Sequence, residues 1–186
     1  KTNFGGSARR DAVGFSIGTK GYLGTGIGAS YLNDFWEFDQ TANTWVQKTS
    51  FGGVARNFAV GFSIGSKGYI GTGDGSGPQN QFQDYWEYNQ ATNSWLQRAN
   101  VGGGVRQMGI GFAIGNKGYI GLGSSSGLKT DFWEWLDDNV TGIQLSTSTT
   151  PSTNSSSDGK WVSSNNLLYN ANSGSVGIGT SSPASK

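Results

Sequence analysis

One phrase occurs three times along this chain. It reads VGFSIGTKGYLGTG at 13–26, VGFSIGSKGYIGTG at 60–73 and IGFAIGNKGYIGLG at 110–123. A second phrase follows each copy, as NDFWEFDQTANTW at 33–45, QDYWEYNQATNSW at 83–95 and TDFWEW at 130–135. A repeat of this length, about 50 residues, predicts stacked supersecondary units.

Each repeat holds short apolar runs separated by Gly, Asn, Thr or Ser. In the first run Val13, Phe15 and Ile17 alternate with small residues, which predicts a strand with one apolar face and one face that a neighbouring sheet can approach closely. The later runs of the first repeat are GYLGTG, DFWEFDQ and NTWVQK. Four runs per repeat predict four-stranded antiparallel blades of an all-β propeller, with Trp45 and Trp95 sealing one blade against the next.

The repeated residues resemble the kelch family. An Arg precedes the first strand, at Arg9, Arg56 and Arg106, and Gly-Tyr opens the second, at Tyr22, Tyr69 and Tyr119. The third strand is acidic and aromatic, at 34–38, 84–88 and 131–135, and the fourth carries a Trp, at Trp45 and Trp95. The glycine pair after the family's second strand is here Gly-Thr-Gly or Gly-Leu-Gly. The resemblance covers residues 1–136 and implies kelch-type β-propeller blades.

The predicted blades fill residues 1–140, as repeats at about 5–50, 51–100 and 101–140. Closed propellers have about four to eight blades, so three form an incomplete ring. Two explanations stay open: further blades outside this chain, or two chains that together complete a six-bladed ring. Gly142 stands where the first two repeats have Trp45 and Trp95, so the fourth strand of the third repeat is expected to be degenerate or lost.

A polar linker and a short β-rich segment are expected after the repeats. Residues 141–160 are dominated by Ser, Thr and Asn, which is typical of an extended linker. Residues 161–186 hold short apolar runs, and NSGSVGIGTSSPASK at 172–186 resembles a phrase of phage tail-fibre-like and bacterial surface fibre proteins. That resemblance implies a fibre-like segment and favours a trimer.

The composition excludes several kinds of chemistry. His and Cys are absent, which excludes Ser-His-Asp catalysis, a histidine metal site and disulfides within these residues. The Tyr-Cys copper oxidase activity found in the kelch family is excluded for the same reason. The Gly-x-Gly runs lie in predicted strands and do not form nucleotide sites. These missing residue types lead us to expect no catalytic residue, no metal and no cofactor. With a net charge of +1, we also expect no nucleic-acid partner and no membrane insertion.

Charged residues recur at equivalent positions of the repeats. The recurring carboxylates are predicted to be structural and not a glycosidase pair; they are Asp34, Asp84 and Asp131, and Glu37, Glu87 and Glu134. The recurring arginines are expected at the end that carries the loops between second and third strands, where they either clamp a carboxylate or an acidic sugar or form hydrogen bonds between blades. Lys20, Lys67 and Lys117 are expected at the opposite end, in solvent.

The loops between second and third strands vary while their flanks hardly change. They read IGASYL at 27–32, DGSGPQNQF at 74–82 and SSSGLK at 124–129. Variable loops on a constant scaffold are where recognition is expected. The candidate ligand-binding residues are Tyr31, Asp74, Gln79, Asn80 and Gln81, together with Arg9, Arg56 and Arg106.

These features predict a non-enzymatic, extracellular recognition or adhesion module: a propeller head on a fibre at a cell or virion surface. The expected partner is a surface glycan or protein, and the expected assembly is a homo-oligomer, with a trimer favoured, or a larger fibre. One alternative is a structural subunit of a filament or sheath that assembles through its blade edges. A second alternative is a fragment of a propeller enzyme whose catalytic blades lie elsewhere.

Overall fold

The computed structural model describes residues 1–77, 80–136, 160–163 and 168–169, and of residues 136, 160–163 and 168–169 it describes the backbone alone. Over this part of the chain the fold is all-β, with three antiparallel sheets and no helix. Sheet 1 has the order β1 (Val13–Ile17), β2 (Lys20–Gly24), β3 (Phe35–Asp39), β4 (Thr44–Lys48). Sheet 2 has the order β5 (Val60–Ile64), β6 (Lys67–Gly71), β7 (Tyr85–Asn89), β8 (Ser94–Arg98). Sheet 3 has the order β9 (Ile110–Ile114), β10 (Lys117–Gly121), β11 (Phe132–Leu136), β12 (Lys160–Ser163), β13 (Leu168–Tyr169).

The three sheets share one register. In sheet 1, Phe15 stands opposite Tyr22, Tyr22 opposite Glu37, and Glu37 opposite Val46. The equivalent rows are Phe62, Tyr69, Glu87 and Leu96 in sheet 2, and Phe112, Tyr119, Glu134 and Val162 in sheet 3. The predicted division into four strands is therefore confirmed for the first two repeats, and the sheet of the third repeat has five strands. A common register places equivalent side chains on the same face of every sheet.

The expectation that the third repeat loses its fourth strand is wrong. Lys160–Ser163 pairs with β11, and Trp161 stands opposite Trp135, as Trp45 stands opposite Phe38 in sheet 1. The strand comes from beyond residues 137–159, so its position could not be counted forward from Trp135. A long intervening segment is compatible with this pairing because the entropic cost of closing a loop rises only slowly with its length.

Neighbouring sheets pack through rings set on glycines. The first strands β1, β5 and β9 contact one another in turn. A Cβ atom added at Gly68 would lie 2.3 Å from Phe15 Cε2, and one added at Gly118 would lie 2.2 Å from Phe62 Cε2. Sheet 2 can approach sheet 1, and sheet 3 can approach sheet 2, this closely because Gly68 and Gly118 carry no side chain. Burying a ring such as Phe62, which is 4% exposed, stabilises the fold by about 1.5–3 kcal/mol.

A second aromatic layer lies behind these rings. Phe35 of sheet 1 lies with its ring centroid 4.9 Å from Tyr88 and 5.0 Å from Trp95 of sheet 2. At the next junction Tyr85 lies 5.0 Å from Trp135. Such centroid separations are those of tilted and edge-to-face aromatic pairs, which favour association beyond their buried area. The prediction that Trp95 seals one sheet against the next is confirmed.

Candidate functional site

The variable loops lie at one end of the three sheets, which we call the loop end. It comprises residues 27–32, 74–77, 80–82 and 124–129, together with the residues that directly precede β1, β5 and β9. A short backbone ladder joins three segments in every repeat. The bridged residues are Arg10, Ile27 and Tyr31 in the first repeat, Asn57, Asp74 and Gln81 in the second, and Gln107, Ser124 and Leu128 in the third.

The loop of the second repeat is an expanded version of the other two. The N–H of Gly28 donates to the carbonyl of Ser30 at 3.0 Å, and Ser125 donates to Gly127 at the same distance, so the first and third loops share one turn. In the second loop Gly75 donates to the more distant Asn80 at 2.9 Å. The loop end therefore combines two equal turns with one larger loop that belongs to the middle sheet.

The backbone of the repeated arginine joins each loop to the next sheet. The N–H of Arg56 donates to the carbonyl of Leu32 at 3.2 Å, and the Arg56 carbonyl accepts from Gly26 at 2.7 Å. Arg106 makes the same pair with Phe82 at 3.1 Å and Gly73 at 2.8 Å. The first and second loops are thus each held at the base by two hydrogen bonds that cross a sheet boundary.

The side chains of the arginines are buried beneath the loops. Arg56 donates from Nη1 and Nη2 to the two oxygens of Asp84 at 2.5 and 2.8 Å, and Trp86 Nε1 donates to the same carboxylate at 2.8 Å. Arg56 Nη1 also donates to the carbonyl of Thr72 at 2.9 Å, and its guanidinium lies 4.0 Å from the ring centroid of Phe82. Two-pronged Arg–carboxylate contacts are among the stronger hydrogen bonds in proteins.

The other two repeats contain the same arrangement. Asp34 and Asp131 each accept from an arginine and from a tryptophan; the trios are Arg9, Asp34 and Trp36, and Arg106, Asp131 and Trp133. Arg56 and Arg106 are fully buried, and the Arg9 side chain is 4% exposed. Of the two roles considered for the arginines, this geometry favours the hydrogen-bonded structural one, because little or no guanidinium surface faces solvent.

The remaining candidate ligand residues lie at the loop end, half-buried. Asp74 is bridged to Asn57 on one side and to Gln81 on the other, and Asn80 Nδ2 donates to the carbonyl of Ser76 at 2.5 Å. Tyr31 lies in the adjacent loop of the first repeat, next to the Leu32 carbonyl that is bonded to Arg56. Gln79 lies outside the described residues. The structure thus brings Asp74, Asn80 and Gln81 together in one loop, while Tyr31 lies in the loop of the preceding repeat.

Sequence reasoning missed the residues that follow the repeated arginine. Asn57 is 4% exposed, and its Oδ1 has no hydrogen-bond partner among the described residues, while its Nδ2 contacts Asp11 Oδ2 at 3.5 Å. Arg10 Nη1 donates to Asp11 Oδ2 at 2.5 Å. The available signal was that this position is polar in every repeat but differs each time, as Arg10, Asn57 and Gln107.

The residue two positions after each repeated arginine has a left-handed backbone. The φ angle is 56° at Asp11, 53° at Phe58 and 56° at Met108. The Phe58 N–H donates to the Asp11 carbonyl at 3.1 Å, and Met108 donates to Phe58 at 3.2 Å, so the strained residues form a hydrogen-bonded series across the sheets. Non-glycine residues in this region cost energy and cluster at functional positions. This series borders the bridged loops at the loop end.

Electrostatics stabilise the buried carboxylates in their charged form. The hydrogen bond from Arg9 holds the pKa of Asp34 below its usual range, against the effect of burial. Burial works to raise the pKa of Asp131, but hydrogen bonds from Arg106 and Trp133 outweigh it and the pKa is lowered.

The carboxylates of the third strands pair with tyrosine and with cationic side chains. Tyr22 Oη donates to Glu37 at 2.5 Å. Burial is the larger cause, and this hydrogen bond the smaller one, of a raised pKa of Tyr22. The lysines at the end opposite the loops are paired and not simply solvated as expected, since each contacts a carboxylate of its own sheet. The pairs are Lys20 with Asp39, Lys67 with Glu87, and Lys117 with Glu134. These contacts agree with the structural role predicted for the repeated carboxylates.

Within residues 1–77 and 80–136 no three acidic side chains come together where they could hold a metal ion. The described residues also include no helix long and apolar enough to cross a membrane.

The comparisons with known proteins concern the fold. No protein-family model matches this chain, and no curated protein sequence matches it. The chain is similar to the solved structure titled "Structure of YjhT", with a TM-score of 0.54 and 23% sequence identity. The similarity covers 63% of this chain and 35% of that chain. At this identity the likeness is one of fold.

Proposed function

We propose that this chain is a non-enzymatic recognition module of the kelch-type β-propeller class that binds a surface glycan or protein at its loop end. The observation that carries the proposal is the contrast between scaffold and loops. Three sheets share one register and one buried Arg–Asp–Trp arrangement, while the loops that they support differ in sequence and, in the second repeat, in size. Rigid scaffolds that present variable loops are a common basis of recognition.

The side chains of the loop end suit a polar ligand. Tyr31 offers a ring and a hydroxyl, and Asn80 and Gln81 offer planar amides with both donors and acceptors. Tyr and Asn are also typical of binding loops, because they combine contact area with adaptable hydrogen bonding.

The charged groups give catalysis little support. Asp34, Asp84 and Asp131 are occupied by arginines, and Glu37, Glu87 and Glu134 by tyrosine, lysine or arginine. Asp74 is a carboxylate without an equivalent in the other repeats, and we assign it to ligand binding. An enzyme built on this scaffold would need catalytic residues other than these repeated carboxylates.

The surroundings of the module are part of the same proposal. The segment between β11 and β12 acts as a linker, and the residues after β13 continue toward a fibre at a cell or virion surface, in a homo-oligomer. The support is the Ser/Thr/Asn-rich composition and the resemblance of 172–186 to fibre proteins.

Binding of the 186-residue chain to an array of immobilised glycans and surface proteins tests the proposal. We expect Tyr31→Ala and Gln81→Ala to weaken binding by about tenfold each. Gln40→Ala is the matched control, because Gln40 is exposed in the turn after β3, at the end of the sheet opposite the loops, and it should change binding less than about twofold. The absence of any bound partner, or equal losses for Gln81→Ala and Gln40→Ala, would overturn the proposal.

A structural subunit that assembles through its sheets is the second candidate. One observation favours it: β9 exposes large apolar side chains, with Ile110 at 52%, Phe112 at 41% and Ile114 at 64% exposure. This role and recognition at the loop end use different surfaces and are compatible.

A further inference from the structure

Sheet 3 presents an apolar face that the other sheets bury. This open face consists of Ile110, Phe112, Ile114 and Phe132, and the equivalent residues of sheet 2 are Val60, Phe62, Ile64 and Tyr85. The sheet 2 residues are between 0% and 7% exposed because sheet 3 covers them, whereas Phe112 is 41% and Phe132 40% exposed. The ring stack of the open face is formed, with Tyr119 and Phe132 5.7 Å apart and nearly parallel.

Sheet 1 presents the complementary face. This glycine face consists of Gly14 and Gly21 with Phe38 and Trp45. In sheets 2 and 3 the equivalent glycines are filled by a ring or a branched side chain of the preceding sheet, at 2.1–2.3 Å from an added Cβ. An added Cβ at Gly14 or Gly21 meets only atoms of sheet 1, at 3.4 and 3.7 Å. Phe38 and Trp45 hold the positions at which Tyr88 and Trp95 receive Phe35.

The backbone repeats this complementarity. At both internal junctions four hydrogen bonds cross between sheets at equivalent positions, with N···O distances of 2.7–3.2 Å. At the junction of sheets 1 and 2 the donor and acceptor pairs are Phe51 to Asn33, Arg56 to Leu32, Gly26 to Arg56, and Phe58 to Asp11. At the outer edge of sheet 3 the equivalent groups are Thr130 O, Lys129 O, Gly123 N and Met108 O. No described residue forms a backbone hydrogen bond with any of them.

Sheet 1 carries the other half of that set. Its equivalent groups are Phe4 N, the N and O of Arg9, and Asp11 N, and no described residue bonds them either. Each unpaired group on sheet 3 therefore has a counterpart of the opposite kind on sheet 1. Unpaired backbone groups and apolar surface at a sheet boundary favour association with another chain.

We infer that a second copy of this chain docks its glycine face onto the open face of sheet 3. The contact reproduces the junction that the chain forms twice within itself, with Phe112 of one copy set on Gly21 of its partner. It is a head-to-tail contact, which generates rings when the rotation closes. Two copies of three sheets supply six sheets, within the four to eight of closed propellers, whereas three copies supply nine. The inference does not depend on any ligand at the loop end.

The native mass of the chain in solution, by light scattering or sedimentation, tests the contact. We expect twice the 19.6 kDa of one chain, and Phe112→Asp should weaken association by at least about tenfold. Phe112 is exposed in the single chain, so this change leaves the sheets folded. The matched control is Leu96→Asp, at a residue that is 54% exposed on β8, and it should leave the mass unchanged.

A cross-link places the contact on the two faces. Ser63 Oγ donates to the Ser16 carbonyl across the first junction at 2.5 Å, and the inferred contact brings Ala113 of one copy beside Ser16 of the next in the same way. The chain has no native Cys, so after mild oxidation S16C/A113C should run as disulfide-linked copies on a denaturing, non-reducing gel, while S16C/S63C should run at the mass of one chain. A monomeric wild-type chain, or a dimer that Phe112→Asp leaves intact, overturns the inference. Open-ended polymers broken by Phe112→Asp support the same contact without ring closure.

Discussion

Removing the carboxylate of Asp84 tests the role assigned to the repeated Arg–Asp–Trp arrangement. Arg56 has no exposed surface, and Asp84 accepts two of its hydrogen bonds and one from Trp86. Asp84→Ala leaves a buried guanidinium with only the Thr72 and Val54 carbonyls as partners. An uncompensated buried charge is the costly outcome, since breaking a buried pair typically costs about 3–5 kcal/mol.

The Asp84 side chain is 18% exposed, so water replaces part of the lost contact and we expect the lower end, about 3 kcal/mol. For a chain of this size that corresponds to a fall in Tm of about 6–12 °C. Thermal unfolding followed by tryptophan fluorescence and circular dichroism measures it.

A double variant separates the buried charge from simple loss of contacts. Arg56→Met with Asp84→Ala removes both partners, and replacing a buried pair by apolar side chains is often nearly neutral. The double variant should therefore be more stable than Asp84→Ala alone, although it carries one more substitution. A cost below about 1 kcal/mol for Asp84→Ala, or a double variant less stable than the single one, would refute the reasoning.

Three further results are expected. The lowered pKa values of Asp34 and Asp131 favour the folded state while these groups are ionised; this stability is present above about pH 4 and is lost as the pH falls through the lowered values, so Tm should drop below about pH 4. Burial, with the charge of Glu37, raises the pKa of Tyr88 to about 12. The stability that the neutral Tyr88 gives the folded state is present below about pH 10 and is lost toward pH 12, and phenolate absorbance should show one tyrosine that ionises only near pH 12. Gly118→Ala places a carbon 2.2 Å from a buried ring and should destabilise by about 1–3 kcal/mol, whereas Gly21→Ala should cost less than about 0.5 kcal/mol in the single chain.

Strands and register were accessible from the sequence because period and alternation encode them directly. The repeats fix which residues are equivalent, and alternation such as Val13, Phe15 and Ile17 fixes which face is apolar. The fourth strand of sheet 3 was missed because residues 137–159 interrupt the period. Its signal was nevertheless present, since Trp161 and Val162 repeat the pair found at 45–46.

The candidate site was accessible only in part. The loops could be found because they vary on a constant frame, but their contacts depend on backbone conformation. The side chains of Phe58 and Met108 do not favour the left-handed backbone that these residues adopt, and the N–H of each donates to the carbonyl of the equivalent residue in the preceding sheet. The burial of Arg56 likewise depends on the packing of two sheets and not on its neighbours in sequence.

Exchanging a loop while keeping the scaffold tests recognition at the loop end most directly. Residues 27–32 and 124–129 have the same length and share one turn. SGSGLK can therefore replace IGASYL; it keeps Gly28, where an added Cβ would lie 2.6 Å from the Ala8 carbonyl oxygen. Binding of the exchanged chain to the partner found on the array is compared with its Tm. We predict a Tm within about 3 °C of the original and binding at least about tenfold weaker. Unchanged binding by a chain with an unchanged Tm would contradict recognition through this end of the molecule.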